Sequence, residues 1–348
     1  MNNKIIICSL LVLSFMAGCG QAVPASPTTT ATLTIAAPTM TPTAAANWAG
    51  GSTPITPATA MDVALLQTID GIQGRVFTLA FSGDGAYFAY TDRSNINAQD
   101  TASGQQVFTL GIQEAELNSF AFSPDSHLLA SAQTIWDVQN QQVLQRFESS
   151  LFLHPAFSPD GALLAMSGVQ PIEIWDVASG QLVQTFEGQA DNLSFGIVFS
   201  PDGALLADSG RNGRITLWDV ASGKVARQLS RDGAQNDVHD IAFSPDGKLL
   251  VSVGTDYMVR LWDVTSGQTL YTMFHNNGLY GVTFSPDGKL VASASCDRTV
   301  KLWEVASGQM VISLRHGDEV TSVAFSPDGA LLASATYEQK IYFWGIPH

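Results

Sequence analysis

Between residues 61 and 348 the chain repeatedly alternates apolar and polar positions over short runs, and clusters of Gly, Pro, Asp and Ser separate the runs. In Val320-Thr-Ser-Val-Ala-Phe325 the alternation puts Val323 and Phe325 on one side of a strand, and Pro327-Asp328-Gly329 ends it with a tight-turn triplet. A second strand is predicted over Leu331 to Ala335. An alternating third is typified by Thr299 to Trp303 and, beyond an Ala-Ser-Gly turn, a fourth by Met310 to Leu314. No segment of ten or more residues carries a helical period.

The four-strand pattern recurs. Phe-Ser-Pro-Asp-Gly or a near copy begins at Phe81, Phe122, Phe157, Phe199, Phe243, Phe284 and Phe325, at intervals of 41, 35, 42, 44, 41 and 41 residues. About nineteen residues after the Phe stands a Trp, at Trp136, Trp175, Trp218, Trp262, Trp303 and Trp344, with Gln99 in the first unit. Four antiparallel strands per repeat make one blade, and blades closed around an axis leave only short, protected edges.

Over residues 63–348 this repeat resembles the WD-repeat β-propeller family. The resemblance implies an all-β fold, a seven-bladed propeller of four-stranded antiparallel blades. The seventh unit stops after its third strand, whereas an orphan strand, Val63 to Ile69, precedes the first motif. In the family an N-terminal strand completes the last blade, so Val63 to Ile69 is expected as the outer strand beside Tyr342 to Trp344, which removes the last open edge. The resemblance also implies a buried His–Ser–Asp–Trp network. It maps in full onto His275, Ser293, Asp297 and Trp303, and in part onto His316, Ser334 and Trp344, with Glu338 at the Asp place. Ala234, Ala190 and Glu148 stand where other blades would carry the His.

Composition changes near residue 60. Residues 1–60 hold no acid and one base, Lys4, so the remainder carries 15 bases against 31 acids, a net −16. Lys4 precedes an apolar run, Ile5 to Met16, that is too short to span a bilayer but fits a secretory signal. Met16-Ala17-Gly18-Cys19 resembles the bacterial lipobox, with Met16 where Leu is usual. The resemblance implies a signal peptide over 1–18, lipidation at Cys19, and export to the cell surface or periplasmic side of a membrane. An ordinary secretory signal cleaved near Ala22 or Ala25 is the alternative. Residues 19–60, rich in Thr, Pro and Ala, are expected as a disordered tether, and 61–348 as the propeller head.

An acidic head with few bases argues against a nucleic-acid partner. No nucleophile elbow, phosphate-cradling Gly loop or His-Glu-x-x-His is present, and no His pair falls at metal-ligand spacing. Neither catalytic residues, metal nor cofactor is therefore expected, and the head is read as monomeric. What remains is recognition of a protein or peptide. In the family the residue four before each motif Phe points to the axial opening; here these are Phe77, Asn118, Leu153, Phe195, His239, Tyr280 and Thr321. Beside them, ahead of the Asp place of the second-to-third-strand loop, stand Arg211, Thr255, Cys296 and Tyr337. Phe77, Phe195, His239, Tyr280, Tyr337 and Arg211 are the candidate binding residues, an aromatic enrichment typical of interface hot spots; a plugged channel is the alternative. A non-catalytic interaction scaffold is the expected function, and a propeller enzyme or small-ligand binder for peptide or glycan is the runner-up.

Charge is also uneven around the ring: residues 61–210 hold 17 acids and three bases, whereas 211–348 hold 14 acids and 12 bases. An acidic side that steers cationic partners is expected. In the second unit Trp136 follows Phe122 by 14 residues, so its second-to-third-strand loop should be nearly deleted and the rim notched.

Overall fold

A computed structural model describes residues 52–347, apart from residues 93, 113–118, 132, 148–151, 169–170, 187–192 and 231–235. The signal, Cys19 and the tether as far as residue 51 lie outside the described residues, as do Asn118, Glu148, Ala190, Ala234 and the side chain of Leu153.

The alternating runs form seven four-stranded antiparallel sheets, six of which follow chain order from the inner to the outer strand. Inner strands of successive blades touch in cyclic order, and the last, Val320–Phe325, touches the first, Leu79–Phe81. The sheets therefore make a closed seven-bladed propeller. Blade seven runs Val320–Phe325, Leu331–Thr336, Ile341–Gly345, and its outer strand is Ala64–Ile69 from the other end of the chain. Leu65 stands opposite Trp344 and Ile69 opposite Ile341, with an irregularity between Leu65 and Gln67. The expected closure is thus present.

The repeated turn shows why the motif is written as it is. Ser326 Oγ donates to Asp328 Oδ1 (2.5 Å) and accepts from the Leu331 N–H (2.9 Å), while Gly329 takes φ +72°, a left-handed value that costs glycine little. The same bonds recur in the other blades. Donation from the turn Ser, with a backbone N–H two residues on, holds Asp125, Asp160, Asp202 and Asp246 below the ordinary carboxylate range. These acids fasten turns.

Apolar faces of adjacent blades share a core. Ile215, Leu217 and Leu229 of blade four, for example, pack with Val238, Phe243, Leu250 and Trp262 of blade five. Non-local contact between blades, rather than a local helix or hairpin, therefore carries the fold.

The expected end of the tether at residue 60 needs correction. Ile55 is 1% exposed and packs with Leu302, Leu314 and Leu332 of blades six and seven, and its N–H donates to Gly329 O (2.8 Å). A turn behind it is closed by Thr59 Oγ1 donating to Pro54 O (2.9 Å) and by Ala60 N–H donating to Thr56 O (2.8 Å). Burial of one Ile side chain contributes about 2–3 kcal/mol, enough to hold a short segment that has no periodicity of its own. The packed head reaches back at least to Ile55.

In blade two Ser131 pairs directly with Thr134, so only residues 132 and 133 connect the strands. The corresponding hairpin of blade six extends to Ser295 opposite Thr299. The blade-two hairpin stops two residues short, about 7 Å of strand, and the rim is notched there.

Candidate functional site

Four places before the motif Phe, the inner strands of blades four to seven carry Phe195, His239, Tyr280 and Thr321, and the closed ring brings several of these together. Phe195, His239 and Tyr280 come from blades four, five and six. The Phe195 and His239 rings meet edge to face at 5.6 Å between centroids, and His239 stacks on Tyr280 at 5.2 Å with 9° between planes. All three are partly exposed. His239 Nδ1 also donates to Leu279 O (2.9 Å), which fixes the ring's orientation. Across the blade seven–one junction Thr321 Oγ1 makes the equivalent bond to Val76 O (2.7 Å). At His239 and Thr321 the position thus staples neighbouring blades, and His239 does so while showing a ring to solvent.

The other candidates fall into separate places. Phe77, 45% exposed, follows Arg75, whose guanidinium lies 3.9 Å from the centre of the Tyr337 ring. Arg211 is exposed at the tip of the second-to-third-strand loop of blade four. The structure therefore joins three of the six candidates in one ladder, sets Tyr337 against Arg75, and brings neither Phe77 nor Arg211 into these contacts. Arg75 was not legible in the sequence, because it precedes the motif in a stretch without alternation.

Next to His239 in the strand stands Asp240, also unflagged by the sequence. Its carboxylate accepts from the Ile241 N–H (2.9 Å) through one oxygen and from the Val282 N–H of the next blade (2.8 Å) through the other. Burial pushes the acid up to about 7 against the pull of those two donors. Asp240 thus ties blades five and six together, one residue from His239 and two from Tyr280 across the junction.

The network assigned by resemblance is assembled in blade six. Trp303 Nε1–H donates to Ser293 Oγ (2.8 Å), the Ser293 hydroxyl to His275 Nε2 (2.8 Å), and His275 Nδ1–H to Asp297 Oδ2 (2.9 Å). Burial works to raise Asp297, but donation from His275, Asn276 and Thr299 holds it well below the carboxylate range. In blade seven Trp344 Nε1–H donates to Ser334 Oγ (3.0 Å) and Ser334 to His316 Nε2 (2.8 Å). Its last bond runs from His316 Nδ1 to Leu314 O (3.1 Å) rather than to Glu338, which lies 3.5 Å from the Tyr342 hydroxyl. Burial takes His316 down to about 4. Ser293 and Ser334 are fully buried, so neither hydroxyl can meet a substrate.

Blade four departs from this arrangement. By strand register Asp208 occupies the seat of Ser252, Ser293 and Ser334, yet it bonds Ser194 Oγ (2.5 Å), and Trp218 Nε1 is buried with no partner. Burial pushes Asp208 up to about 6, against weaker pulls from Ser194 and Arg214. An acid raised in the folded state stabilises least where the unfolded chain is ionised, so its cost grows from pH 4 upward and is complete above about pH 6. Asp208→Ser, which offers Trp218 an acceptor, is expected to stabilise the head by about 2–3 kcal/mol at pH 7 and by little at pH 4. Urea unfolding at the two pH values measures the difference.

No group of three or more His, Cys, Asp or Glu side chains poised for a metal occurs among the described residues, and no helix among them is long and apolar enough to cross a membrane.

Comparison with known proteins bears on the repeats. The profile of the WD domain, G-beta repeat family matches residues 180–219, 224–263, 267–304 and 308–345. An uncharacterized WD repeat-containing protein of Synechocystis sp. is 33% identical over 162 residues, covering 42% of this chain and 44% of its own length. Periodic tryptophan protein 2 of Arabidopsis thaliana is 33% identical over 118 residues, covering 32% of this chain and 13% of its own. The chain thus spans less than half the length of either relative.

Proposed function

On the premise that four matched WD repeats sit within a closed seven-bladed ring, we propose that the head is a non-catalytic protein-interaction scaffold. It docks a protein or peptide over its axial mouth and is held on the outer side of a membrane by lipid on Cys19. The observation that carries this reading is the ladder Phe195–His239–Tyr280. Three rings from three successive blades touch one another and stay partly exposed, although a staple alone needs only a hydroxyl such as that of Thr321. Rigid aromatic surface of this kind is what a partner's apolar side chain buries at low entropic cost. Burial of Ser293 and Ser334 supports the non-catalytic side of the reading. Excess acid in residues 61–210 adds long-range attraction for cationic regions of a partner, so association is expected to slow with added salt.

The test is a crosslinking pull-down from native membranes. A Phe195→Ala, Tyr280→Ala double variant should lose a partner that the wild type retains, at a cost of about 2–4 kcal/mol in affinity. Cys19→Ala should leave the membrane fraction. Identical partner sets for the wild type and the double variant would remove the mouth as the site, and unchanged membrane retention of Cys19→Ala would remove the anchor.

A further inference from the structure

At the outer junction of blades five and six, two aromatic side chains stand in solvent beside three bases. Phe274, the last residue of its blade's outer strand, is 57% exposed; the seat it fills is Ser230 in blade four and Arg315 in blade six, as the pairings Arg214–Ser230, Met258–Phe274 and Thr299–Arg315 show. Tyr257 is 39% exposed and lies against the next residue, since its carbonyl accepts from the His275 N–H (2.9 Å). Its φ of +68° is left-handed; in the same seat blade four carries Gly213 and blades six and seven carry Arg298 and Gln339, so among these four blades an aromatic ring stands there in blade five.

The bases come from blade six. Lys301 Nζ donates to Phe274 O (2.9 Å) and lies 5.5 Å from the Trp303 ring centre, which holds it under the aromatic pair. Arg298 and Arg315 are both exposed and adjacent: His316 N–H donates to Arg298 O (2.9 Å), and Arg315 stands opposite Thr299, on the same face as Lys301. Of the carboxylates at this junction, Asp256 is neutralised by Arg260, whereas Asp297 keeps its charge because burial lowers its partner His275. Three bases against that one acid leave a local charge of about +2 on a head whose overall balance is 15 bases against 31 acids.

We propose that this junction is a second interaction surface, distinct from the axial mouth, which takes an acidic peptide segment bearing an aromatic or aliphatic side chain. The apolar side chain packs on Phe274 and Tyr257, and flanking carboxylates pair with Arg298, Lys301 and Arg315. Charge selects the partner: on a head with twice as many acids as bases, a basic junction of this kind attracts an acidic segment. Guanidinium groups favour carboxylates through paired N–H donors, and two of the three bases are Arg.

The test uses the whole head and a fluorescein-labelled peptide of Asp and Glu around two Phe residues, followed by anisotropy. The wild type is expected to bind it, more weakly as salt rises. Phe274→Ser and the double variant Arg298→Glu, Arg315→Glu are each expected to weaken binding about tenfold or more. Val183→Ser, 57% exposed on the outer strand of blade three, should leave it unchanged, and replacing the peptide's Phe residues by Ala should weaken it. All these side chains are exposed, and unchanged melting temperatures will show the variants folded. Equal affinity of the wild type and the Arg double variant would overturn the proposal. So would binding to phosphatidylglycerol vesicles without binding to the peptide, which would assign the patch to a lipid surface instead.

Discussion

Truncation of the head to begin at residue 70 is expected to abolish its cooperative unfolding transition. The cut removes Ala64–Ile69, the outer strand of blade seven, together with the buried Ile55, Ala60 and Val63. Ile341–Gly345 then becomes an unpaired edge, and Leu302, Leu314 and Leu332 lose their covering residues. Each large apolar side chain contributes about 1.5–3 kcal/mol, so the lost packing and ladder together are on the order of 5 kcal/mol or more. That is a large share of any domain's stability, and the exposed edge invites pairing between molecules. Circular dichroism melts and light scattering should show a broad, non-cooperative signal and association, and a synthetic peptide covering residues 52–69 should restore the transition. A truncated head that melts within a few degrees of the intact one would show that closure is not held by this strand.

His275→Ala is expected to have the next largest effect, about 2–4 kcal/mol. The substitution leaves Asp297 as a carboxylate with only 7% of its side chain exposed and one donor fewer, deprives the Ser293 hydroxyl of its acceptor, and opens space beside Trp303. His316→Ala removes a similar ring from blade seven but strands no carboxylate, so about half the effect is expected. The difference has a pH signature. Asp297 is held low in the folded head, so its contribution is present above about pH 4 and is lost as the pH falls through its folded value. Buried His275 and His316 are lowered in the folded head, so each loses stability as the pH falls below about 6.5. Urea midpoints of the two variants at pH 7 and pH 4 give the comparison. Equal losses in both at pH 7 would show that the carboxylate adds nothing to blade six.

Residues that repeat were legible in the sequence, and residues that depart from the repeat were not. Phe325 to Gly329 and its six counterparts announce the blades because each residue solves a local problem that recurs seven times: strand, hydroxyl acceptor, carboxylate acceptor, left-handed turn. The closing strand was legible because Val63 to Ile69 had no partner within its own repeat. Phe195, His239 and Tyr280 could be placed at one position of successive inner strands by register, but their mutual contact depends on how three blades converge. Ile55 was hidden because one apolar residue among Thr, Pro and Ala has no period, and its burial depends on a groove made by the other end of the chain. Asp208 was hidden for a related reason: an acid in a strand that reads Leu-Leu-Ala-Asp-Ser gives no sign that it occupies the Ser seat of a network until the register fixes it there. The pairing of Arg75 with Tyr337 likewise joins residues at opposite ends of the chain.

The central claim is that a protein partner docks over the axial mouth. Site-specific photocrosslinking in living cells tests it most directly, with a benzophenone side chain placed in turn at Tyr280 and at the exposed Ala204, in the turn that follows the inner strand of blade four. A discrete protein-sized adduct is expected from position 280 and none from 204. Adducts from 204 alone, or the same adducts from both positions, would contradict it.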